Sequence, residues 1–236
     1  MKIGFFGDSF VMEESNPHSW YHNYDTYIRK IKKHYNADIV HLGHGGSSYW
    51  DVILNQFPKF EKDLPDVSIF CWTDPSRIFH PTVRNLGIWC TKPTPLKDIT
   101  YTQLLNPKAY KAANDYFTYL HDENKSQREM LSALYYFDRE VLKPLENKTK
   151  IIHCWSFGWP KPRPDTNIWF PSNIEYKYKW QTGVELRPSL RCFTPEGKDY
   201  VASPNHLGTK ESNDAVAEML ITVIENHTNG KLMTRY

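Results

Sequence analysis

The sequence predicts an α/β fold in which a central parallel sheet is covered by helices on both faces, within one domain spanning 1–236. Three observations lead there. Short apolar runs of strand length alternate with longer stretches whose apolar residues recur at spacings of three and four. A chain of 236 residues fits one such domain with insertions better than two complete ones. Hydrophobic residues at 40% and charged residues at 24% match ordinary globular usage, which argues against disorder and fibrous repeats.

The elements follow in order. Ile3 to Phe6 is a short apolar run ending at Gly7, which suits a buried first strand and its exit turn. From Trp20 to Tyr35 the residues Trp20, Tyr24, Tyr27, Ile28, Ile31 and Tyr35 line one face of a first crossover helix. Asp38 to Leu42 reads as the second strand. The turn Gly43-His44-Gly45-Gly46 comes next, and then a helix with apolar positions Trp50, Ile53 and Phe57 and a cap at Ser48. Asp66 to Trp72, bounded by Pro65 and Asp74-Pro75, is the third strand. The stretch from about 73 to 107 carries five prolines and little periodicity, the mark of a long functional loop insertion. Helices are predicted from about Lys108 to Leu120 and from Ser126 to Leu145, with the break at Asn124-Lys125, and Ile151 to Trp155 is the fourth strand. A second insertion, about 158–200, contains Trp159, Trp169, Phe170, Tyr176, Tyr178 and Trp180 and reads as a lid or pocket wall. The last helix spans about Thr209 to Glu225, with Ala215, Met219, Leu220, Val223 and Ile224 on its inner face.

Charge and composition narrow the function classes. A formal net charge of +2, with Arg29 to Lys33 as the densest basic run, points away from a nucleic-acid partner. No stretch approaches the roughly 20 apolar residues that span a bilayer, so no membrane partner is expected. The N-terminal segment lacks the pattern of a secretory signal, giving a cytoplasmic expectation that is equally compatible with a virion-associated or lysis-released protein. Cys71, Cys90, Cys154 and Cys192 show no close pairing and read as reduced, mostly buried thiols. His18 with His22 and His41 with His44 are close in sequence, but without carboxylate or cysteine partners at ligand spacing they read as ordinary histidines, and neither a metal nor any other cofactor is expected.

The chemistry-bearing residues converge if strands one, two and three are parallel neighbours. Asp8-Ser9, Gly45-Gly46-Ser47 and Thr73-Asp74 then share one sheet edge, which Pro204-Asn205-His206-Leu207-Gly208 can also reach. A serine hydroxyl needs a base to take its proton and a third group to orient that base. Ser9 and His206 fill the first two roles, and the N–H groups of Ser9 and Gly46 are candidate oxyanion donors. Arg77 could bind an anionic group of a substrate.

Gly7-Asp8-Ser9 after the first strand, Gly43-His44-Gly45-Gly46-Ser47 after the second, and Asn205-His206 before the final helix resemble the dispersed blocks of the SGNH (GDSL) hydrolase superfamily. The resemblance covers nearly the whole chain in block order. It implies a flavodoxin-like three-layer α/β/α fold and esterase or deacylase activity without a metal, with Ser9 as nucleophile, Gly46 as oxyanion donor and His206 as general base. Two positions depart from the family pattern. Thr73 stands where an oxyanion-hole Asn is usual and could donate in its place, whereas an ionised Asp74 could not, and Trp72-Thr73-Asp74-Pro75-Ser76-Arg77 is similar to a block of phage-encoded members. Ser203 stands where the triad acid is usual, leaving Asp199 as the nearest upstream carboxylate and Asp8 or Asp74 as substitutes.

The expected activity is therefore cleavage of an ester through an acyl-enzyme, with an O-acetyl group on a carbohydrate as the favoured substrate class. Asp8, Asp74, Arg77 and Asn205 are the candidate substrate contacts, and a small-molecule or glycan ester is the expected partner. An acyltransferase on the same fold and a catalytically decayed glycan-binding or structural protein are the alternatives.

Overall fold

A computed structural model describes residues 1–12, 25–84, 86–87, 106–156, 180–186, 190, 207 and 210–226. Five strands form one sheet: β1 (Lys2–Gly7), β2 (Asp38–His41), β3 (Val67–Trp72), β4 (Lys150–Trp155) and β5 (Val184–Glu185). Their order is β2-β1-β3-β4-β5 and every pairing is parallel. The first crossover therefore runs to one side of β1 and the next to the other, creating a switch point between β1 and β3 where ligands bind open sheets of this order.

Strand parity divides the interior into two layers. Ile3 and Phe5, Val67, Ile69 and Cys71, and Ile152 and Cys154 point to one face. There they meet α1 (Tyr27–Tyr35) through Tyr27, Ile28 and Ile31, and the final helix through Val216, Leu220 and Val223. Phe6, Phe70 and Trp72, together with Ile151 and Trp155, point to the opposite face. This face is covered by α2 (Tyr49–Asp51), which continues as a π-helical segment, Val52–Gln56, and a 3-10 turn, Phe57–Phe60. Past α3 (Pro107–Tyr119), α4 (Glu123–Tyr136) covers it as well and continues in the same way through Phe137–Leu142 and Lys143–Leu145. The last helix, α5 (Lys210–Asn226), closes the first face.

Local chemistry sets the boundaries. Thr26 caps α1 by accepting from the Arg29 N–H, and Asn36 ends it in the left-handed region at φ 46°. Ser48 caps α2 by accepting from the Asp51 N–H, as the sequence suggests. The expected break at Asn124-Lys125 is displaced. Asp122 accepts from the Lys125 N–H and starts α4 at Glu123, so those two residues form its first turn, not a linker. The first helix begins at Tyr27, where Thr26 caps it in an extended conformation, and not at Trp20 as expected; Trp20 and Tyr24 themselves lie outside the described residues. Within the 73–107 insertion, Val83 and Leu86 are buried against Ala113 and Phe117 of α3 as a third small core. The 158–200 insertion contains β5, and Trp180, expected on a pocket wall, is buried.

A ladder of flat rings crosses the second face. His41, Phe6, Phe70 and His153 come from four adjacent strands, with successive centroids 4.9, 5.2 and 5.7 Å apart and interplanar angles of 26°, 23° and 24°. Those angles match the roughly 20–25° by which neighbouring strands rotate, so the rings follow the sheet twist. Trp180 ends the ladder, lying parallel to His153 at 3.5 Å. His153 is wholly buried, accepts from Trp72 Nε1 at 3.2 Å and meets the Thr182 carbonyl at 3.2 Å through Nε2, which fixes the proton on that nitrogen.

Phe70 lies at the centre of this layer, so Phe70→Ala is expected to lower unfolding free energy by about 3–5 kcal/mol, read as a fall in urea midpoint with unchanged slope. Burial lowers the His153 pKa from 6.5 to about 3. Between those values the unfolded chain binds the extra proton, so stability from this group is complete above pH 6.5 and is lost as pH falls towards 3. His153→Gln, which keeps a donor and an acceptor, should flatten the pH dependence of the urea midpoint in that window by up to about one proton.

Candidate functional site

The chain leaves β1 into a 3-10 turn, Ser9–Val11, whose cap is Asp8. Ser9 is half-buried, and among the described residues its hydroxyl takes no hydrogen bond. Asp8, by contrast, is completely buried. One carboxylate oxygen accepts from the Phe10 N–H at 3.0 Å and the Ser156 hydroxyl at 2.8 Å, and the other accepts from the Thr73 hydroxyl at 2.8 Å, with Arg77 Nη1 3.5 Å away. Arg77 also donates to the Ser47 carbonyl at 3.0 Å. A buried carboxylate persists only when its lone pairs are met in this way. The turns after β1, β3 and β4 and the loop after β2 are thus fixed through one charged group.

The β2 loop is bound to the serine turn by its backbone. The Gly43 N–H donates to the Val11 carbonyl at 3.0 Å and the His44 N–H to the Gly7 carbonyl at 3.0 Å. A Cβ on Gly43 would lie 2.6 Å from Val11 Cγ2 and 2.8 Å from the Gly7 carbonyl oxygen, so only glycine permits this approach. Gly46 has φ 75°, again a glycine conformation, in the turn leading to Ser47. Beneath it Ser47 Oγ donates to Asp51 at 2.6 Å, and Gln56 Nε2 is shared among the Gly7 carbonyl, Ser47 Oγ and Asp51 at 2.9, 3.1 and 2.9 Å. Gln56 Oε1 takes the Gly7 N–H at 2.8 Å. Gln56 thereby joins the end of β1 to the base of the Gly46 turn. Burial pushes the Asp51 carboxyl up. The groups facing it, His44 at 3.6 Å and the bonded Ser47, Gln56 and Asn55, outweigh burial and hold it well below the ordinary carboxylate range. Burial pushes the His41 imidazole down to about 4, so it stays neutral at the ladder's edge.

Thr73 therefore turns its hydroxyl to Asp8, and not towards an oxyanion, leaving only its N–H for that role. Asp8, expected as a substrate contact or alternative acid, is a sealed structural anchor, and Arg77, also expected at the substrate, is buried as its partner. Asp74 accepts from the Ser76 N–H at 2.7 Å in a local turn. Asp199, Asn205 and His206 lie outside the described residues, as do Cys90, Cys192, His18 and His22. Cys71 and Cys154 are free and buried, and burial raises both thiols.

Leu207, next in sequence to His206, is described and buried. Its carbonyl accepts from Asn213 Nδ2 at 3.0 Å, and Asn213 Oδ1 accepts from the Tyr27 N–H at 2.9 Å. Tyr27 Oη then donates to the Phe10 carbonyl at 2.6 Å. Leu207 and Asn213 border the same small cavity as Phe10, Met12 and Tyr27. Sequence reasoning missed Ser156, Gln56, Asp51, Tyr27 and Asn213 in these roles. Ser156 carried a signal, a small hydroxyl residue directly after a strand, whereas Gln56 and Asn213 carried none.

Asp8→Ala would remove the shared acceptor of the Phe10 N–H and of the Thr73 and Ser156 hydroxyls from a sealed site, together with the opposite charge beside Arg77. The expected loss is about 3–5 kcal/mol of unfolding free energy, measured by urea denaturation. No protein-family model matches the sequence, and no curated protein or solved structure matches it.

Proposed function

We propose that the protein is a serine esterase or deacylase of the SGNH type, with Ser9 as nucleophile and His206 as general base. The observation that carries this reading is the bonded path from Leu207 through Asn213 and Tyr27 to Phe10, which ties the segment next to His206 to the turn that bears Ser9. Supporting it, Ser9 sits at the switch point between β1 and β3 with the Gly46 turn held beside it by two backbone hydrogen bonds.

In this mechanism His206 accepts the Ser9 proton as Oγ attacks the ester carbonyl, and returns it to the leaving alcohol. The N–H groups of Ser9, Gly46 and Thr73 face the developing oxyanion, each donor contributing roughly 3–4 kcal/mol in the transition state. Water then cleaves the acyl-enzyme, releasing the acid and regenerating Ser9. Asp199 is the residue proposed to orient His206, with an O-acetylated carbohydrate as the substrate class.

One observation favours a second reading, a binding protein whose catalytic blocks have decayed: the Thr73 hydroxyl, at the position of the family's oxyanion Asn, is committed to Asp8. A fluorophosphonate probe separates the two. Wild-type protein should be labelled and Ser9→Ala should not, with ester turnover falling on the order of 10⁶-fold in Ser9→Ala or His206→Ala. Absence of labelling in the wild type, or undiminished turnover in both variants, refutes the esterase.

A further inference from the structure

A second concavity lies between α2 and the outer face of α4, with a volume of about 940 Å³. Its long wall is one helical stripe: Lys125, Arg128, Glu129, Ser132 and Tyr136 recur at three and four along α4 and so share a side. Trp50, half-buried at the start of α2, forms the facing wall. Because α2 leaves β2 and α4 runs back towards the start of β4, both helices begin at the carboxyl edge of the sheet. The groove therefore opens on the edge that carries Ser9 and Gly46, and Trp50 lies only four positions beyond Gly46.

We infer that this groove binds an oligosaccharide, supplying the sugar-side subsite for the ester whose cleavage is proposed above, and in that respect the inference rests on that reading. Three features select the ligand class. Two broad aromatic faces reach the groove, Trp50 and the 55%-exposed Tyr136, and such faces pack against the apolar C–H surface of a pyranose ring. Between them stand side chains that both donate and accept: the Ser132 hydroxyl, the Glu129 carboxylate, the Lys125 ammonium and the Arg128 guanidinium, a set suited to the alternating hydroxyls of a sugar. The charges are balanced, since Lys125 Nζ lies 3.4 Å from Glu129, and a phosphate chain finds no basic track. A volume of about 940 Å³ lies at the upper end of ligand sites, about 300–1,000 Å³, enough for more than a single ring.

A glycan array of neutral and uronate-bearing oligosaccharides, probed with the intact Ser9→Ala chain, tests the groove independently of turnover. At least one oligosaccharide should be retained. Trp50→Ala and Arg128→Ala should weaken it tenfold or more, and so should Tyr136→Ala, whose exposed ring leaves the fold and urea midpoint unaltered. Against p-nitrophenyl acetate, too small to span the groove, the same three variants in the Ser9 background should keep kcat/KM within twofold of wild type. Retention of no oligosaccharide, retention that survives all three substitutions, or preference for a short single-stranded DNA overturns the groove. Oligosaccharide binding without ester turnover overturns the esterase and leaves the groove standing, whereas p-nitrophenyl acetate turnover without oligosaccharide binding does the reverse.

Discussion

The carboxyl edge of this sheet is organised around the burial of one charge. Asp8 has no contact with solvent, and it holds together segments that leave three different strands because each must satisfy part of its carboxylate. Taking such a group out of water costs several kcal/mol, so the arrangement is all-or-none: every donor in place, or a large penalty. Arg77 extends the constraint to the β2 loop by holding the Ser47 carbonyl, and Gln56 closes it from below by gripping both backbone groups of Gly7. The conformation of the Ser9 turn is thus a by-product of the electrostatics of its neighbour. The backbone that carries the Ser9 hydroxyl is set in place by the locked carboxylate next to it.

The fold was legible in the sequence where one physical signal dominated. Ile3 to Phe6, Asp66 to Trp72 and Ile151 to Trp155 are apolar on both parities because helices cover both faces, so they stand out as buried strands. Ser48 announced its helix because a cap needs only local geometry. Val184–Glu185 was hidden: two residues have no period, and the aromatic stretch around them suggested a surface wall. Trp180 misled for the same reason, since a ring that stacks on His153 from a neighbouring segment leaves no pattern in its own. The displaced break before α4 reflects competition between cues, with Asn124-Lys125 resembling a turn while Asp122 supplied the actual cap.

The site was legible at its backbone turns and opaque in its supports. Glycine at 43 and 46 is dictated by close approach and by a positive φ, and such demands are visible as glycine-rich segments. Gln56, Asp51 and Asn213 act over separations of 49, 4 and 186 positions from their principal partners, and for Gln56 and Asn213 nothing in the local sequence distinguishes them from surface polar residues. The meaning of Asp8 changed most. As part of a short motif it resembled a substrate contact, whereas burial makes it the anchor of the whole edge.

The two π-helical segments carry a consequence for how this chain tolerates change in length. Gln56 ends one and Asp138 lies in the other. Each is wholly buried and aims a polar side chain at backbone, Gln56 at Gly7 and Asp138 at the N–H groups of Gln181 and Thr182, 2.7 and 3.1 Å away. A π turn holds more residues per revolution than an α turn, so deleting one residue from either segment would let ordinary α winding resume. The turns beyond the deletion would keep nearly their present phase, whereas residues inside the segment would be re-aimed, carrying the polar side chain away from its target while barely shortening the helix. In most surface helices such a loss disturbs only one layer of packing, but here it would uncouple a strand end or the approach to β5. The spacing of residues inside these two segments is therefore as constrained as their identity.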